Sequence, residues 1–163
     1  SSIIRNATDI LNRESGENPY LLHEELQTNM QKNVGIIRNK KKLEKGLKTL
    51  ELLKNKYESV KASGASQFNP GWHEAIAMRN LLITAEAVTK SALSREESRG
   101  AHTREDFPGE RKGGYTYNTI ISKNSSGKME LKKQNRVEPD QELKRIAESS
   151  LEDLEKEVAR EQS

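Results

Sequence analysis

Apolar residues recur along most of this chain at intervals of three and four positions, the spacing that gathers them on one face of an α-helix. The pattern predicts amphipathic helices at about residues 2–13, 19–34, 39–62, 70–98 and 139–163. Asn18-Pro19 and Asn69-Pro70 mark two of the starts, because Asn is a favoured N-cap and Pro is tolerated at the first helical position. Asn39 is placed to cap the helix that lies between them.

The segment 70–98 differs from the other predicted helices because it carries two apolar stripes. One stripe consists of Trp72, Ala75, Ile76, Ile83 and Ala87, and the other of Ala77, Leu81, Ala85, Val88 and Ala92. A helix that is apolar on more than one side is normally enclosed by neighbours, so we expect this one to be central. With 19–34 and 39–62 as its flanks, the sequence predicts a mainly α fold, an up-down-up three-helix bundle of the spectrin-repeat type within residues 1–108.

The pattern changes after residue 108. In the segment 109–138, apolar residues alternate with polar ones on both sides of a turn sequence: Tyr115, Tyr117, Thr119 and Ile121, then Asn124-Ser125-Ser126-Gly127, then Met129 and Leu131. Period-two alternation around a turn predicts a short β-hairpin. Residues 139–163 are expected to form an acidic amphipathic C-terminal helix.

Charged residues make up 33% of the 163 residues, above the usual level of ~25%, and apolar residues only 32%. The small net charge of +3 conceals a basic block at 39–62, with a net charge of +5, and an acidic block at 139–163, with a net charge of −4. The basic block lacks the interleaved aromatic and Arg residues of nucleic-acid-binding surfaces, so we expect no nucleic-acid partner. The absence of cysteine excludes disulfides, thiol nucleophiles and thiolate metal sites.

Candidate catalytic chemistry is sparse in this sequence. His23, His73 and His102 do not fall in a metal-binding spacing, and no glycine-rich nucleotide loop or serine nucleophile motif is present. The acidic pairs Glu24-Glu25 and Glu96-Glu97 lie on predicted helices and point about 100° apart, so we interpret them as solvated or salt-bridged. We therefore assign no catalytic, cofactor-binding or metal-binding residue.

The densest group of polar residues is the segment 94–108, where the helix at 70–98 ends. It contains three arginines, a histidine and several carboxylates. Gly100 suits the left-handed residue that often follows a helix, and cations favour the carboxyl end of the helix dipole. The residues alone leave two interpretations open. These groups either cap the helix and pair with one another, or they fasten the helix to another domain.

This segment also carries a family resemblance. The run Glu97-Ser98-Arg99-Gly100-Ala101-His102-x-Arg104-x-Asp106-Phe107-Pro108 is similar to a motif in the C-terminal domain of the succinate dehydrogenase/fumarate reductase flavoprotein family, which includes L-aspartate oxidase. Upstream runs resemble that domain in the same order: Asn18-Pro19-Tyr20, His23-Glu24-Glu25-Leu26-Gln27, Val34-Gly35-Ile36-Ile37-Arg38-Asn39 and Asn80-Leu81-Leu82-Ile83-x-Ala85. The resemblance covers about residues 16–108, and the sequence departs from the family's pattern after Pro108.

The resemblance implies an oxidoreductase in which FAD-binding and capping domains precede the helical domain and exchange a hydride between flavin and a dicarboxylate. It implies that this chain alone holds no FAD, is not catalytic, and packs against those domains of the same polypeptide. A domain-docking role is expected for the residues that match the motif: Glu97, Ser98, Arg99, Gly100, His102 and Arg104. The resemblance further implies a cytoplasmic location, with membrane association through partner subunits, one of which is expected to be an iron–sulfur subunit.

A second class of function fits the same residues. The chain would then be a free-standing helical protein-interaction module whose acidic last helix binds a partner. Under the flavoprotein interpretation, faces normally covered by the preceding domains would be open to self-association. A glycine-rich FAD motif upstream of this chain would favour the flavoprotein interpretation.

Overall fold

The computed structural model describes residues 2–114 and 116–161. Its helices are α1 (Ser2–Asn12), α2 (Pro19–Asn29), α3 (Lys40–Tyr57), α4 (Pro70–Ser94), α5 (Gln141–Glu148) and α6 (Leu151–Glu161). Its strands are β1 (Ile37–Arg38), β2 (Thr103–Arg104), β3 (Tyr117–Lys123) and β4 (Met129–Asn135), and a π-helical turn, Met30–Val34, continues α2. The predicted mainly α fold, with a β-hairpin and a helical C-terminal segment after the bundle, is confirmed.

Helices α2, α3 and α4 form the bundle, and α3 is antiparallel to the other two. Near the end of α3, Lys56 donates to Glu25 in the middle of α2 across 2.7 Å, whereas Gly46, earlier in α3, meets Asn29 at the end of α2. Near the end of α4, Thr89 lies beside Met30, the first residue of the π-helical turn that continues α2. These contacts give the up-down-up order that the sequence predicts.

The three bundle helices begin where their Asn residues place them. Each Asn side chain accepts a hydrogen bond from a backbone N–H of the first turn, and all three bonds measure 2.9 Å: Asn18 from Tyr20, Asn39 from Lys42, and Asn69 from Trp72. An N-cap of this kind satisfies a donor that has no partner within the helix. The predicted starts of α2, α3 and α4 are therefore confirmed.

The bundle core is aliphatic and tightly packed. Its largest members are at most 4% exposed: Leu22, Leu26, Leu43, Leu50, Leu53, Met78 and Leu82. At Gly46 in α3, an added Cβ would lie 3.0 Å from a methyl group of Val34, so glycine permits close approach of α3 to the end of α2. The buried Asn29 amide bridges the same two elements, because its Nδ2 donates to the Gly46 carbonyl at 3.1 Å.

The expectation that α4 is buried on more than one side is wrong. Its buried residues form a single seam with alternating spacings of three and four: Ala75, Met78, Leu82, Ala85, Thr89 and Ala92. Apolar residues on its other sides are exposed, with Leu81 at 36%, Ile83 at 48% and Val88 at 42%. The two apolar stripes are present, but α2 and α3 can cover only one side of α4. Part of an uncharged helix surface therefore faces outward.

Two helices end earlier than their patterns predict. Helix α3 stops at Tyr57 rather than near residue 62, and Val60 is buried in a single β-bridge to Glu17 instead. Helix α4 stops at Ser94 rather than at residue 98, because Arg95 turns into an extended conformation. Ile37, which continues the apolar spacing of the second helix, lies in β1 and is mostly exposed.

The predicted single helix at 139–163 is two helices, α5 and α6. The interruption falls at Ser149, which is extended, and Ser150. The Ser150 hydroxyl accepts the backbone N–H of Asp153 at 3.2 Å, which is the geometry of a new N-cap. Serine competes well for such positions, and the apolar spacing continues across the break, so periodicity does not reveal it.

The hairpin β3–β4 is antiparallel, with Ile121 opposite Leu131 and Tyr117 opposite Asn135. Gly127 has φ +79° in the connecting turn, a conformation that favours glycine. Tyr115, which the pattern assigns to the first strand, lies outside the described residues. Among the described residues, no helix combines the length and hydropathy needed to cross a membrane.

Candidate functional site: the junction after α4

After α4 the chain folds back onto the connection between α2 and α3. Strand β2 pairs in parallel with β1, which places Thr103 beside Ile37 and Arg104 beside Arg38. The backbone N–H of Glu105 also donates to the Arg38 carbonyl at 2.8 Å. We call residues 95–108 the junction, because this segment contacts both the end of α4 and the start of α3.

Arg104 is the centre of the junction and is only 1% exposed. Its Nη1 donates to the carbonyls of Ala92 at 2.9 Å, Leu93 at 3.2 Å and Arg95 at 3.1 Å. The last carbonyls of a helix have no partner within it and carry the negative end of the helix dipole. A buried guanidinium therefore caps α4, and it does so from ten residues further along the sequence.

Asp106 extends this cap to the next helix. Its two carboxylate oxygens accept Arg104 Nε and Nη2, each at 2.8 Å, and one of them also accepts the backbone N–H of Lys40 at 2.9 Å. The hydrogen bonds from Arg104 hold the pKa of Asp106 well below its usual range, and the Lys40 amide acts in the same direction. Arg104 and Asp106 together tie the carboxyl end of α4 to the amino end of α3.

Glu97 is a second buried charge, 1% exposed. It accepts hydrogen bonds from the guanidinium of Arg95, from Arg99 Nε at 3.2 Å and from the backbone N–H of Arg111 at 3.0 Å. Burial raises the pKa of Glu97, but the Arg111 amide and the two guanidiniums outweigh it, so the pKa is lower than usual. Glu97 is therefore an ionised carboxylate held inside the junction.

Gly114 explains how the segment after the junction can cover Glu97. A Cβ at position 114 would lie 2.3 to 2.6 Å from the carboxyl atoms of Glu97, so any side chain there would displace that carboxylate. The Gly114 carbonyl also accepts Arg95 Nη1 at 3.2 Å. Gly114 thus lies directly over the Glu97 carboxylate.

Ser98 and His102 connect the remaining parts of the junction. The Ser98 hydroxyl donates to the Phe107 carbonyl at 2.8 Å and accepts the Arg104 N–H at 2.8 Å. His102 Nδ1 accepts Arg38 Nη1 at 2.8 Å, and its Nε2 donates to the Arg95 carbonyl at 3.1 Å. This arrangement requires the neutral imidazole with its proton on Nε2.

The charge state of His102 follows from the same surroundings. Burial lowers the pKa of His102, and the positive charges of Arg38, Arg104 and Arg95 lower it further. The hydrogen bond to the Arg95 carbonyl acts in the opposite direction but does not reverse the net effect. His102 is thus neutral, and its hydrogen bonds connect Arg38, which lies between α2 and α3, to Arg95 at the end of α4.

Comparison with known proteins assigns the chain to a family. A family model described as "Fumarate reductase flavoprotein C-term" matches residues 23–153. The chain belongs to the succinate dehydrogenase/fumarate reductase flavoprotein family, as its C-terminal domain. The match continues past Pro108, through the hairpin and into α6, so the family likeness extends further than the motifs alone indicate.

Named relatives agree with this family. The chain is 40% identical over 96 residues to a fumarate reductase (CoM/CoB) chain of Methanothermobacter marburgensis, covering 59% of this chain and 18% of the relative. It is 37% identical over 92 residues to the succinate dehydrogenase flavoprotein subunit of Coxiella burnetii, covering 56% and 16%. The solved apo Sdh1 complex of Mycobacterium smegmatis matches 95% of this chain and 27% of its own chain, with a TM-score of 0.82 and 35% identity.

The fold brings the flavoprotein motif residues together, and their hydrogen bonds and ion pairs are made to one another and to nearby residues of this chain. Glu97, Ser98 and Arg104 are bonded inside the junction, and Arg99 pairs with Glu97 and with Glu110 at 2.9 Å. The interpretation that these groups cap the helix and pair with one another is confirmed in geometry. The docking role expected from the resemblance stays a prediction.

Gly100 does not follow the helix as expected. It has φ +55°, the left-handed conformation that the sequence predicts, but α4 has already ended at Ser94. Gly100 instead lies in the tight turn closed by reciprocal backbone hydrogen bonds of 2.9 and 3.0 Å between Arg99 and His102. The helix cap comes from Arg104, which no local signal identifies.

Several residues of the site escape sequence reasoning. Asp106 and Arg38 stand in the family-like motifs without an assigned role. The Gly113-Gly114 pair matches no motif that would reveal the contact of Gly114 with a carboxylate. The pattern treats Glu96 and Glu97 alike, whereas only Glu96 is exposed. Among the described residues, no group of three or more His, Cys, Asp or Glu residues could hold a metal ion, and His23 pairs instead with Glu74.

Proposed function

We propose that this domain packs against the FAD-binding part of a larger flavoprotein, an oxidoreductase that transfers a hydride between its flavin and a dicarboxylate. The observation that carries the proposal is the family match together with its extent. The chain spans 18% of the Methanothermobacter relative and 27% of the Mycobacterium chain. The larger part of the related flavoproteins therefore lies outside this domain.

The described residues of this chain do not fit FAD itself. The pyrophosphate of a dinucleotide is normally held by a glycine-rich turn between a strand and a helix N-terminus. Here Gly114 lies against the Glu97 carboxylate, which would repel a phosphate, and the described strands form only two-stranded sheets. We therefore assign the flavin and the hydride step to the remainder of the flavoprotein.

The junction has a positioning role in this proposal. Its buried charges fix the end of α4 against the start of α3, so the surface beside it has one defined shape. Glu97 and Arg104 are buried and would act through that shape. Ser98, Arg99 and His102 are part-exposed and Gly100 is exposed, so these residues could contact the neighbouring domain. Docking of this kind needs a rigid surface, because ordering side chains on binding costs free energy.

Two finer expectations belong to the same proposal. An iron–sulfur subunit would accept or supply electrons, and association with a membrane would occur through partner subunits. Support for partner subunits comes from the Mycobacterium neighbour, which is part of the Sdh1 complex. The domain would serve such an assembly as part of its flavoprotein subunit.

The activity is tested on the complete flavoprotein. Its flavin is reduced anaerobically with dithionite, and fumarate is then added while the flavin absorbance is followed. We expect reoxidation of the flavin with formation of succinate, and no flavin absorbance in the 163-residue chain purified alone. Reduced flavin that persists in the presence of fumarate, or stoichiometric FAD bound to this chain alone, would contradict the proposal.

A further inference from the structure

An open groove runs between the second half of α4 and the strand β3. Its walls are small or apolar, with Ala87, Val88 and Ser91 on the helix and Ile120 on the strand. Val88 and Ile120 are 42% and 40% exposed. Exposed apolar side chains that face one another across a groove are a feature of surfaces that bind a partner.

One end of this groove is positively charged. Arg38, Arg95 and His102 line it, and no carboxylate is among its described lining residues. The charge of Arg95 is balanced within the chain, because its guanidinium pairs with Glu97. Arg38 is therefore the source of the uncompensated charge.

The hydrogen bonds of Arg38 all go to neutral acceptors. Its Nε donates to the carbonyls of Val34 at 3.0 Å and Gly35 at 2.7 Å, and its Nη1 donates to His102 at 2.8 Å. Among the described carboxylates, none forms an ion pair with it. Burial lowers the pKa of Arg38, as expected for a cation that is partly desolvated without a counter-charge. A half-buried charge of this kind is costly unless it is paired in the assembled protein.

We propose that this groove is the docking site for the flavin-binding part of the same polypeptide, which places an apolar segment along α4 and β3 and pairs an Asp or Glu carboxylate with Arg38. The inference rests on the proposed function, because it names the surface through which the two parts meet. The pair would neutralise Arg38 while the apolar segment covers Val88 and Ile120.

Three observations favour this occupant. The Mycobacterium chain that matches over 95% of this chain is several times longer, since the match covers only 27% of it. The side of α4 that lines the groove carries the small uncharged residues Ala87 and Ser91, which permit close approach of another backbone. The groove's charge is complementary to a carboxylate, and its walls are complementary to apolar side chains.

A photo-cross-linking residue at Val88 in the complete flavoprotein tests the contact. Para-benzoylphenylalanine replaces Val88 in one variant and Leu52 in a control variant, where Leu52 is the exposed leucine of α3 that does not line the groove. After illumination, the cross-linked peptides are identified by mass spectrometry. We expect the probe at position 88 to cross-link to the flavin-binding part of the same polypeptide, and the probe at 52 to give no such product.

The outcomes separate this inference from the proposed function. Cross-links to the flavin-binding part from position 52 but not from 88 would overturn the groove as docking site and leave domain packing intact. Products from neither position would overturn the groove as docking site, while the proposed function is decided separately by the reoxidation of flavin with fumarate. A cross-linked dimer of the flavoprotein through position 88 would show that a second copy fills the groove, and would also overturn the inference.

The ion pair is tested by charge exchange on the same protein. Arg38→Glu should reduce the cross-link yield from position 88 about tenfold or more, since a charge-assisted hydrogen bond contributes roughly 1.5–3 kcal/mol. Reversal of the carboxylate found in the cross-linked segment to Arg should restore the yield. Arg38→Gln, which removes the charge but keeps a hydrogen-bond donor, covers the case in which Arg38→Glu does not fold. An unchanged yield in the folded variants would exclude the ion pair.

Discussion

At the scale of single residues, Asp106 does more for this domain than its exposed position in a loop indicates. It accepts hydrogen bonds from Nε and Nη2 of Arg104 and from the first backbone N–H of α3. Arg104 in turn holds the last carbonyls of α4. One ion pair therefore fixes the relative position of two helix ends, and its strength depends on the ionised carboxylate.

Asp106→Asn should change how stability depends on pH. The pKa of Asp106 is depressed in the fold relative to ~3.9 in the unfolded chain, so its contribution is present above about pH 4 and is lost as the pH falls further. We expect Asp106→Asn to lower the free energy of unfolding in urea by about 1–2 kcal/mol at pH 7 and to flatten its decline below about pH 4.

The matched control for Asp106→Asn is Glu24→Gln, which removes an exposed carboxylate of α2. Its free energy of unfolding should stay within about 0.5 kcal/mol of that of the unmutated chain, both at pH 7 and below about pH 4. Equal stability of Asp106→Asn and the parent chain across the acid range would show that the Arg104–Asp106 pair contributes nothing to folding.

The residue scale also sets the limit of what the sequence can predict. Glu96 and Glu97 are chemically alike and adjacent, and nothing local distinguishes them. Glu97 is buried because the segment after the junction folds over it and Gly114 leaves room for its carboxylate. That contact depends on the three-dimensional course of the chain, so motif and periodicity cannot supply it.

At the scale of elements, the apolar spacing and the Asn caps predict the bundle helices well. Both signals are local, since a cap acts within the first turn and a stripe repeats within the helix. The ends of α3 and α4 are less predictable, because tertiary contacts end them: the Val60 bridge for α3 and the Arg104 cap for α4. The periodicity correctly marks the second side of α4 as apolar, and the prediction that this side is buried is wrong.

The helices α5 and α6 should be dispensable for bundle stability. Helix α5 has no buried residue. Among the described residues, its Arg145 forms ion pairs only inside the C-terminal tail, which we define as residues 139–163, with Glu142 and Glu157, each at 2.8 Å. Deletion of residues 139–163 should therefore change the free energy of unfolding by no more than about 0.5 kcal/mol. The corresponding peptide alone should be largely unfolded by circular dichroism, because short isolated helices are marginal in water. A loss above about 1.5 kcal/mol on deletion would mean that the tail packs on the bundle.

At the scale of the whole molecule, the described interior of the domain is fully hydrogen-bonded, whereas one part of its surface exposes apolar residues beside a charge that no described carboxylate pairs with. Its buried side-chain polar atoms among the described residues all have hydrogen-bond partners. Its outer side, by contrast, has exposed apolar residues on α4 and β3 beside an arginine whose described partners include no carboxylate. The family match spans most of this chain but less than a fifth of the Methanothermobacter relative, which is consistent with a domain completed by the rest of a flavoprotein.

Hydrogen–deuterium exchange on the complete flavoprotein and on the isolated 163-residue chain tests this account most directly. If the flavin-binding part docks along α4 and β3, segments 80–91 and 117–123 should exchange about tenfold or more slowly in the complete protein, because docking stabilises them against local opening. Segment 40–57, none of whose residues lines the groove, should exchange at nearly the same rate in both. Equal exchange of 80–91 and 117–123 in the two proteins would contradict the central claim.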